Sequence, residues 1–487
     1  MRMMKTIAVL GFVALGVTCL PSSAHAQSLA NGPSKSVECR ARGGIPNALA
    51  KLRAGETVRI AYLGGSITYA DPGWRAMTRD WFAARFPKAR VEEIVAAICG
   101  TGSDFGAFRL ADDVLSKKPD LLFVEFRVNG SGGFDYASVE SIVRQIWAAN
   151  PQTDICFVYT LEERMLPALS EGRQPSFGKA LETICDHYGI PSIDYGPEIV
   201  RRLSEGRIVF KPAANVPAGA FVFTKDGVHP KREGHEIYRD VVVRAMETSI
   251  FPASGEAARP HALSPPYAKD GWQACSLVPS ARVLAGPAWH PVDVEKDAVY
   301  GATREPKRTH GMLRGGQWTD REGTSVTLRW VGSTLGFSDI PQGDTEPMVL
   351  EVSVDGGVPY EVARARKAPH LSASFWYLPV RKWGEHTATV TLKRLPKGQR
   401  WIVGQFLVTG TLKPQEAKVS ADLRERTWRA LCTTNVSFEA QEAFEGRAPA
   451  YTVRYVGCKE NREGRLDLAA FAYLWLLDSW VPPYIGC

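Results

Sequence analysis

Between residues 50 and 250 the chain alternates short apolar segments with amphipathic ones, and this alternation constrains the fold more than any other feature. Apolar segments rich in β-branched and aromatic residues predict strands, whereas apolar residues recurring every three to four positions predict helices. The predicted strands are 59–63, 91–98, 121–128, 154–160 and 191–193. The predicted helices are 74–86, 136–149, 178–188 and 234–246. Because strands that alternate with helices form a parallel sheet covered by helices, we expect an α/β domain over residues 50–250.

After residue 252 the pattern changes. A stretch rich in proline and alanine, 252–269, predicts a linker. Beyond it, alternating apolar residues predict strands at 325–330, 348–354, 387–392 and 401–408, and Asp355-Gly356-Gly357 predicts a hairpin turn. We therefore expect an antiparallel β-sandwich over 270–412. This part contains the tryptophans Trp318, Trp330, Trp376 and Trp383. They fit either a carbohydrate-binding face or a buried core. Residues 413–487 do not repeat the β pattern, and we assign them no function.

The first 26 residues have the layout of a secretory signal peptide. Arg2 and Lys5 precede an apolar run at 7–20, and Ala24-His25-Ala26 supplies small residues for cleavage before Gln27. The apolar run is shorter than the roughly 20 residues that a membrane-spanning helix needs. The sequence therefore predicts an exported product, periplasmic or extracellular, with no stable membrane insertion after cleavage.

Composition argues against several partners. The formal net charge of +7 over 487 residues is mild, and no long run of lysine or arginine occurs, so nucleic acid is not an expected partner. No spacing of cysteine and histidine is typical of a metal site, and we expect neither a metal nor an organic cofactor. The sequence does not indicate the oligomeric state.

The chain has nine cysteines, of which eight follow the predicted cleavage site. In an oxidising compartment such cysteines can form disulfides. Those in apolar segments are expected to be small buried residues, namely Cys99, Cys156 and Cys185. The others are candidates for bridges whose pairing the sequence leaves open, namely Cys39, Cys275, Cys432, Cys458 and Cys487.

Two short motifs carry the residue types that nucleophilic catalysis needs. Ser66 follows Gly64-Gly65 at the end of a predicted strand, and Asp226 and His229 lie three residues apart. A serine hydroxyl is a weak nucleophile at neutral pH, so it needs an imidazole to take its proton and a carboxylate to orient that imidazole. The two glycines allow a tight turn from strand to helix. Taken singly, each motif is also typical of an ordinary turn.

Four segments in order resemble the motif blocks of the SGNH (GDSL-type) hydrolases over roughly residues 55–250. The segments are 64–68, 98–104, 124–129 and 226–230. The resemblance implies a flavodoxin-like three-layer αβα SGNH hydrolase domain with a parallel sheet. It also implies that Ser66 is the nucleophile, His229 the base and Asp226 the residue that orients the base. The oxyanion hole would then consist of Ser66 N–H, Gly100 N–H and the side-chain amide of Asn129, aimed at the oxygen on which charge develops.

The third segment departs from the family motif, because Arg127 and Gly130 stand where the family commonly has glycine and aspartate. Asn129 is present, so the donor role implied for it is kept. Arg127 could contact an anionic substrate or point to the far face of the strand. We favour the structural role, with Glu125 as its partner.

Other polar and aromatic candidates near these motifs are expected to be structural. His235 falls within a predicted helix, where a packing or surface role is expected. Trp74 could stack on a sugar ring, but a tryptophan that opens a helix is more often part of a core. Ser103 and Asp104 are expected to shape the pocket rather than to react.

The resemblance, the export signal and the β-rich second half together predict a secreted serine esterase. It would remove small acyl groups, in particular acetyl, from an acylated polysaccharide through an acyl-enzyme. Three alternatives remain open: a lysophospholipase or thioesterase with the same residues, a polysaccharide O-acetyltransferase, and a noncatalytic glycan-binding protein. The sequence identifies neither the glycan, nor the position of the ester, nor the length of the acyl chain.

Overall fold

The computed structural model describes residues 34–413, except 270–271, 273, 285, 304–305, 344–345 and 367–370. The predicted signal peptide and residues 414–487 lie outside the described residues, as do Cys432, Cys458 and Cys487. Within the described part, no helix combines the length and the apolar character needed to cross a membrane.

The described residues form strands and helices that are numbered here in chain order. Strands β1 to β19 are Cys39–Arg40, Thr57–Gly64, Arg90–Ala97, Leu121–Glu125, Asp154–Tyr159, Ser192–Asp194, Ile208–Val209, Phe221–Val222, Cys275–Pro279, His290–Pro291, Gln317–Thr319, Ser325–Gly332, Leu335–Asp339, Met348–Val354, Tyr360–Arg364, Ser374–Tyr377, Gly384–Arg394, Trp401–Thr409 and Thr411–Lys413. Helices α1 to α13 are Pro46–Ala54, Ser66–Tyr69, Trp74–Arg85, Ser103–Phe108, Leu110–Asp113, Asp135–Ala149, Leu166–Ser170, Ser176–Tyr188, Gly196–Ser204, Arg232–Ala245, Phe251–Ser254, Ala298–Gly301 and Pro306–Leu313.

The first sheet has the strand order β1-β6-β5-β4-β2-β3, and all its pairs are parallel except β1 with β6. Alternate residues of β2 point to opposite faces. Ala61 and Leu63 pack in one apolar cluster with helices α4, α6 and α8. Ile60 and Tyr62 pack in a second cluster with α3 and α10. The three-layer αβα arrangement with a parallel sheet is therefore confirmed, and burial of both faces explains why the strands are apolar throughout.

One predicted strand is too long. The segment 121–128 leaves the sheet after Glu125, because residues 127–129 form a turn that the hydrogen bond from Gly130 N to Phe126 O closes (2.9 Å). Asn129 consequently lies in a turn beyond the end of β4.

The second half of the described chain forms two antiparallel sheets. One has the order β10-β11-β18-β13-β16 with β9 also paired to β18, and the other has the order β15-β14-β17-β12-β19. Apolar residues from both sheets share one cluster, so the sheets pack face to face. The predicted hairpin joins β14 to β15, where Asp355 and Gly356 have φ of 56° and 69°. These left-handed values match the turn chemistry that aspartate-glycine favours.

The tryptophans of this half do not share one exposed face. Trp330 and Trp376 lie in the core between the two sheets, which fits the structural alternative for both. Trp383 is half exposed (51%), and Trp318 is partly buried against the cluster that contains Leu63.

The predicted linker is fastened to the α/β part. The ring of His261 stacks on Trp147 at a centroid distance of 4.6 Å, and its Nε2 lies 2.7 Å from Asp154 Oδ1. The buried carboxylate of Glu140 accepts hydrogen bonds from the backbone N–H groups of Tyr267 (2.6 Å) and Ala268 (2.7 Å). These contacts hold the linker against the α/β part.

No disulfide joins the described cysteines. Cys156 and Cys185 are buried, as expected, whereas Cys99 is only partly buried. Cys39 and Cys275, which we considered candidates for bridges, carry free thiols, so the structure does not bear out that expectation for these two. Burial raises the pKa of Cys39 to about 11 and that of Cys275 to about 12.

Candidate active site

Ser66 lies where β2 turns into helix α2. Gly64 ends the strand and Gly65 has extended backbone angles (φ −96°, ψ −152°) that any residue can adopt. The turn needs glycine because neighbours occupy the space of a side chain. A Cβ on Gly64 would lie 2.6 Å from Thr68 Oγ1, and a Cβ on Gly65 would lie 2.8 Å from Asn129 Cγ.

The predicted triad residues are in hydrogen-bond contact. Ser66 Oγ lies 2.8 Å from His229 Nε2, and His229 Nδ1 lies 2.7 Å from Asp226 Oδ2. The other oxygen of Asp226 accepts hydrogen bonds from the backbone N–H groups of Val228 (3.0 Å) and His229 (2.8 Å). One short loop therefore holds the carboxylate and the imidazole together, and Gly227 fits its left-handed position with φ of 85°.

The electrostatics of this loop keep Asp226 ionised. Partial burial acts to raise the pKa of its carboxyl group. The carboxylate accepts hydrogen bonds from the backbone and ring of His229 and from Val228 N–H. These hydrogen bonds outweigh the effect of burial, so the pKa of Asp226 lies below its usual value. The carboxylate can hold the imidazole in one tautomer and stabilise it when it becomes positively charged.

The residues expected in the oxyanion hole follow three neighbouring strands. Strands β4, β2 and β3 are adjacent and parallel, with Gly64 paired to Glu125 on one side and Ala97 on the other. Ser66, Gly100 and Asn129 come within a few residues of these strand ends, so they lie at the same edge of the sheet. Gly100 has φ of 64°, which favours glycine. Their role as hydrogen-bond donors to substrate remains a prediction.

A buried carboxylate, which the sequence predicts only as a partner of Arg127, supports the nucleophile turn. Glu125 accepts hydrogen bonds from Thr68 Oγ1 (2.8 Å), Thr160 Oγ1 (2.5 Å) and the backbone N–H of Gly65. Burial raises the pKa of Glu125, and these hydrogen bonds oppose that rise. The signal in the sequence was a single acidic residue inside an apolar strand, because a buried carboxylate needs partners.

Arg127 has structural contacts, but its expected partner was wrong. The side chain is buried, and its Nη1 lies 2.8 Å from Asp194 Oδ1 at the end of β6. It also donates to the backbone oxygens of Thr160 (2.7 Å) and Tyr159 (3.0 Å). Residue 127 lies beyond the end of β4, so its side chain reaches across the neighbouring strand ends, whereas Glu125 is held by the two threonines.

Trp74 and His235 have structural contacts, as expected. Trp74 is fully buried in the core, and its backbone N–H donates to His235 Nδ1 (3.2 Å). Burial lowers the pKa of His235 to about 4. Ser103 and Asp104 are also buried. Across the described ranges, no group of three or more His, Cys, Asp or Glu side chains is arranged to hold a metal ion.

A three-layer αβα domain, with serine, histidine and aspartate in contact at the carboxyl edge of its sheet, is the arrangement of an acyl hydrolase. Residues 62–237 match the GDSL-like lipase/acylhydrolase family. The match covers most of the α/β part of the chain, and the protein is an ester-hydrolysing enzyme. No curated protein matches the chain.

Solved structures are similar over both halves of the chain. A two-domain esterase (CEX) active on acetylated mannans is 20% identical, with a TM-score of 0.60 over 77% of this chain and 98% of its own. A structure of it with mannopentaose is 19% identical, with a TM-score of 0.60 over 76% and 96%. An acetylxylan esterase, Axe2 from Geobacillus stearothermophilus, is 17% identical, with a TM-score of 0.30 over 39% and 94%. At these identities the first two similarities show the fold. The TM-score of the third is too low to support a conclusion.

Proposed function

We propose that the protein is an exported serine esterase that removes small acyl groups, in particular acetyl, from polysaccharide through an acyl-enzyme on Ser66. The observation that carries this proposal is the unbroken contact from Ser66 Oγ to His229 Nε2 and from His229 Nδ1 to Asp226 Oδ2. Such a series of hydrogen bonds activates a serine hydroxyl without a metal or an organic cofactor.

In the first half of the reaction Ser66 Oγ attacks the ester carbonyl carbon while His229 Nε2 takes the hydroxyl proton. Negative charge then develops on the carbonyl oxygen, where Ser66 N–H, Gly100 N–H and the Asn129 amide donate hydrogen bonds. The tetrahedral intermediate collapses, the bond to the sugar oxygen breaks, and His229 returns the proton to that oxygen. Asp226 remains a carboxylate throughout.

In the second half water attacks the acyl-enzyme. His229 Nε2 takes a proton from the water, the oxyanion forms again, and the bond between the acyl carbon and Ser66 Oγ breaks. The carboxylic acid leaves and Ser66 regains its proton from His229. Transfer to a sugar hydroxyl would use the same acyl-enzyme with a sugar in place of water, so the acetyltransferase remains the alternative to hydrolysis.

The openness of the site supports a polymeric substrate. The side chains of His229 and Asp226 are 34% and 46% exposed, so the triad lies at the surface, where a bulky glycan can approach. The fold similarity to an esterase active on acetylated mannans and the export signal in the sequence support the same substrate class. Membership of an acylhydrolase family argues against the noncatalytic alternative.

The test measures acetate release from acetylated mannan and acetylated xylan, together with hydrolysis of p-nitrophenyl acetate and p-nitrophenyl octanoate. Ser66→Ala should lower activity by several orders of magnitude, as removal of a serine nucleophile does. Ser116→Ala is the matched control, because that exposed hydroxyl donates to Asp112 O (2.7 Å) far from the triad in sequence. Wild-type activity in Ser66→Ala would refute the mechanism, and a preference for octanoate would refute the acetyl assignment. Acetyl transfer to an added oligosaccharide would favour the acetyltransferase.

A further inference from the structure

A tyrosine from the β part reaches a buried carboxylate of the α/β part. Tyr377, the last residue of β16, donates from its hydroxyl to Asp104 Oδ2 at 2.8 Å. Asp104 lies in the first turn of α4 and is 1% exposed. Because a buried carboxylate needs donors, this contact is not an incidental surface encounter.

The Asp104 carboxylate lies between the two loops that carry the expected oxyanion donors. On the side of Gly100, a Cβ on Gly102 would lie 2.7 Å from Asp104 Oδ1. On the side of Asn129, a Cβ on Gly132 would collide with Asp104 Oδ2. The loops are also joined directly, since Ser103 N donates to Gly130 O at 2.9 Å. A shift of Asp104 would therefore displace both loops.

The Tyr377 ring is itself held in place. It lies across Gly336 on the paired strand β13, where a Cβ would come within 2.7 Å of the ring. Phe134 packs against it edge to face at a centroid distance of 5.0 Å. Two residues earlier in β16, Phe375 stacks on Phe105 of helix α4 at 5.1 Å. The phenol is thus presented to Asp104 by a rigid strand docked on the same helix.

We propose that Tyr377 and Asp104 are positioning residues for the oxyanion hole, so that the β part is required for hydrolysis even of a small soluble ester. This inference rests on the proposed function of Ser66, Gly100 and Asn129. Oxyanion donors act only when they are held in place before the reaction, and a displacement of about 1 Å can cost roughly a hundredfold in rate. The hydrogen bond from Tyr377 supplies part of that rigidity from outside the catalytic domain.

A positioning role differs from the common role of an accessory β domain. A domain that only binds glycan raises affinity for the polymer, so its loss changes KM for polysaccharide and leaves small esters unaffected. A domain that positions the oxyanion loops changes kcat for every ester, including p-nitrophenyl acetate.

The experiment measures kcat and KM for p-nitrophenyl acetate in Tyr377→Phe, Asp104→Ala and the double variant of the full chain. Rates are normalised to the folded fraction from circular dichroism. We expect each single variant to lose about tenfold in kcat, with KM changed less than about twofold, and the double variant to lose no more, because both changes break one contact. Arg314→Gln is the matched control, since it removes another polar contact between the two parts, to Asp112 Oδ2 at 3.3 Å, and should keep kcat.

Wild-type kcat in Tyr377→Phe would overturn the inference. Losses of kcat that multiply in the double variant would also overturn it. The same holds for a loss of kcat in Arg314→Gln equal to that in Tyr377→Phe. The underlying function fails separately: if Ser66→Ala still hydrolyses p-nitrophenyl acetate at the wild-type rate, the proposed nucleophile is wrong whatever the Tyr377 variant does.

Discussion

Replacing Gly65 with alanine should disable the oxyanion hole without touching Ser66, His229 or Asp226. The backbone of Gly65 is in an extended conformation, so alanine meets no backbone strain there. The new methyl group would lie 2.8 Å from Cγ of Asn129 and closer still to its Oδ1, and the three nearest atoms all belong to that side chain. The Asn129 amide must therefore move away from the nucleophile.

The size of the effect follows from what Asn129 is proposed to donate. Loss of one oxyanion donor costs about 10² to 10³ in kcat, or roughly 3 to 4 kcal/mol of transition-state stabilisation. Crowding of a packed site costs about 1 to 3 kcal/mol in the free energy of unfolding. We expect Gly65→Ala to lower both kcat and the free energy of unfolding, with kcat for p-nitrophenyl acetate falling at least a hundredfold.

A double variant makes this reasoning refutable. In Gly65→Ala/Asn129→Ala the obstructing amide is gone and the methyl group has room, so kcat should equal that of Asn129→Ala and the lost stability should return. Gly301→Ala is the matched control, because its Cβ would meet nothing within 4 Å. The assay is steady-state hydrolysis, with urea unfolding followed by circular dichroism. Wild-type kcat in Gly65→Ala, or losses that multiply in the double variant, would refute the proposed role of Asn129.

Three further predictions test the buried supports of the site and the pH dependence of stability. Glu125→Ala should lower the free energy of unfolding by at least about 2 kcal/mol and reduce kcat, because the donors around Glu125, including Gly65 N–H, lose their acceptor. Urea unfolding measures the stability, and steady-state kinetics measure kcat. Arg127→Met should cost about 3 to 5 kcal/mol in urea unfolding, because Asp194 is left buried without its cation, yet the folded fraction should keep kcat. His235 has a pKa of about 4 in the folded state against 6.5 ordinarily. The unfolded chain therefore binds more protons below pH 6.5, and the free energy of unfolding decreases as the pH is lowered. Between pH 7 and pH 5 this loss should be about 2 kcal/mol, and His235→Gln should lack it; an equal slope in the variant would contradict the assignment.

Features encoded by neighbouring residues could be predicted from the sequence. The alternation of apolar and amphipathic segments suffices for the parallel sheet, because each strand and helix shows its own periodicity. Asp226 and His229 are likewise predictable as a pair, since one short loop joins them. Both predictions depend on residues a few positions apart.

Contacts between distant segments could not be predicted in the same way. The local pattern predicts Glu125, two residues away, as the partner of Arg127, whereas the fold brings Asp194 to it past the end of the intervening strand β5. Tyr377 and Asp104 are 273 positions apart, and no local pattern links them. The residues proposed to react could be predicted from sequence motifs, whereas several residues that hold them are brought together only in the folded chain.

The central claim is that Ser66 is the nucleophile activated by His229, and covalent labelling tests it most directly. The protein is treated with a fluorophosphonate, digested, and analysed by mass spectrometry while residual esterase activity is followed. We predict one adduct, on the peptide that contains Ser66, forming in proportion to the loss of activity and far more slowly in His229→Ala. Complete inactivation with the adduct on another residue would contradict the account, as would a fully active enzyme whose Ser66 is labelled.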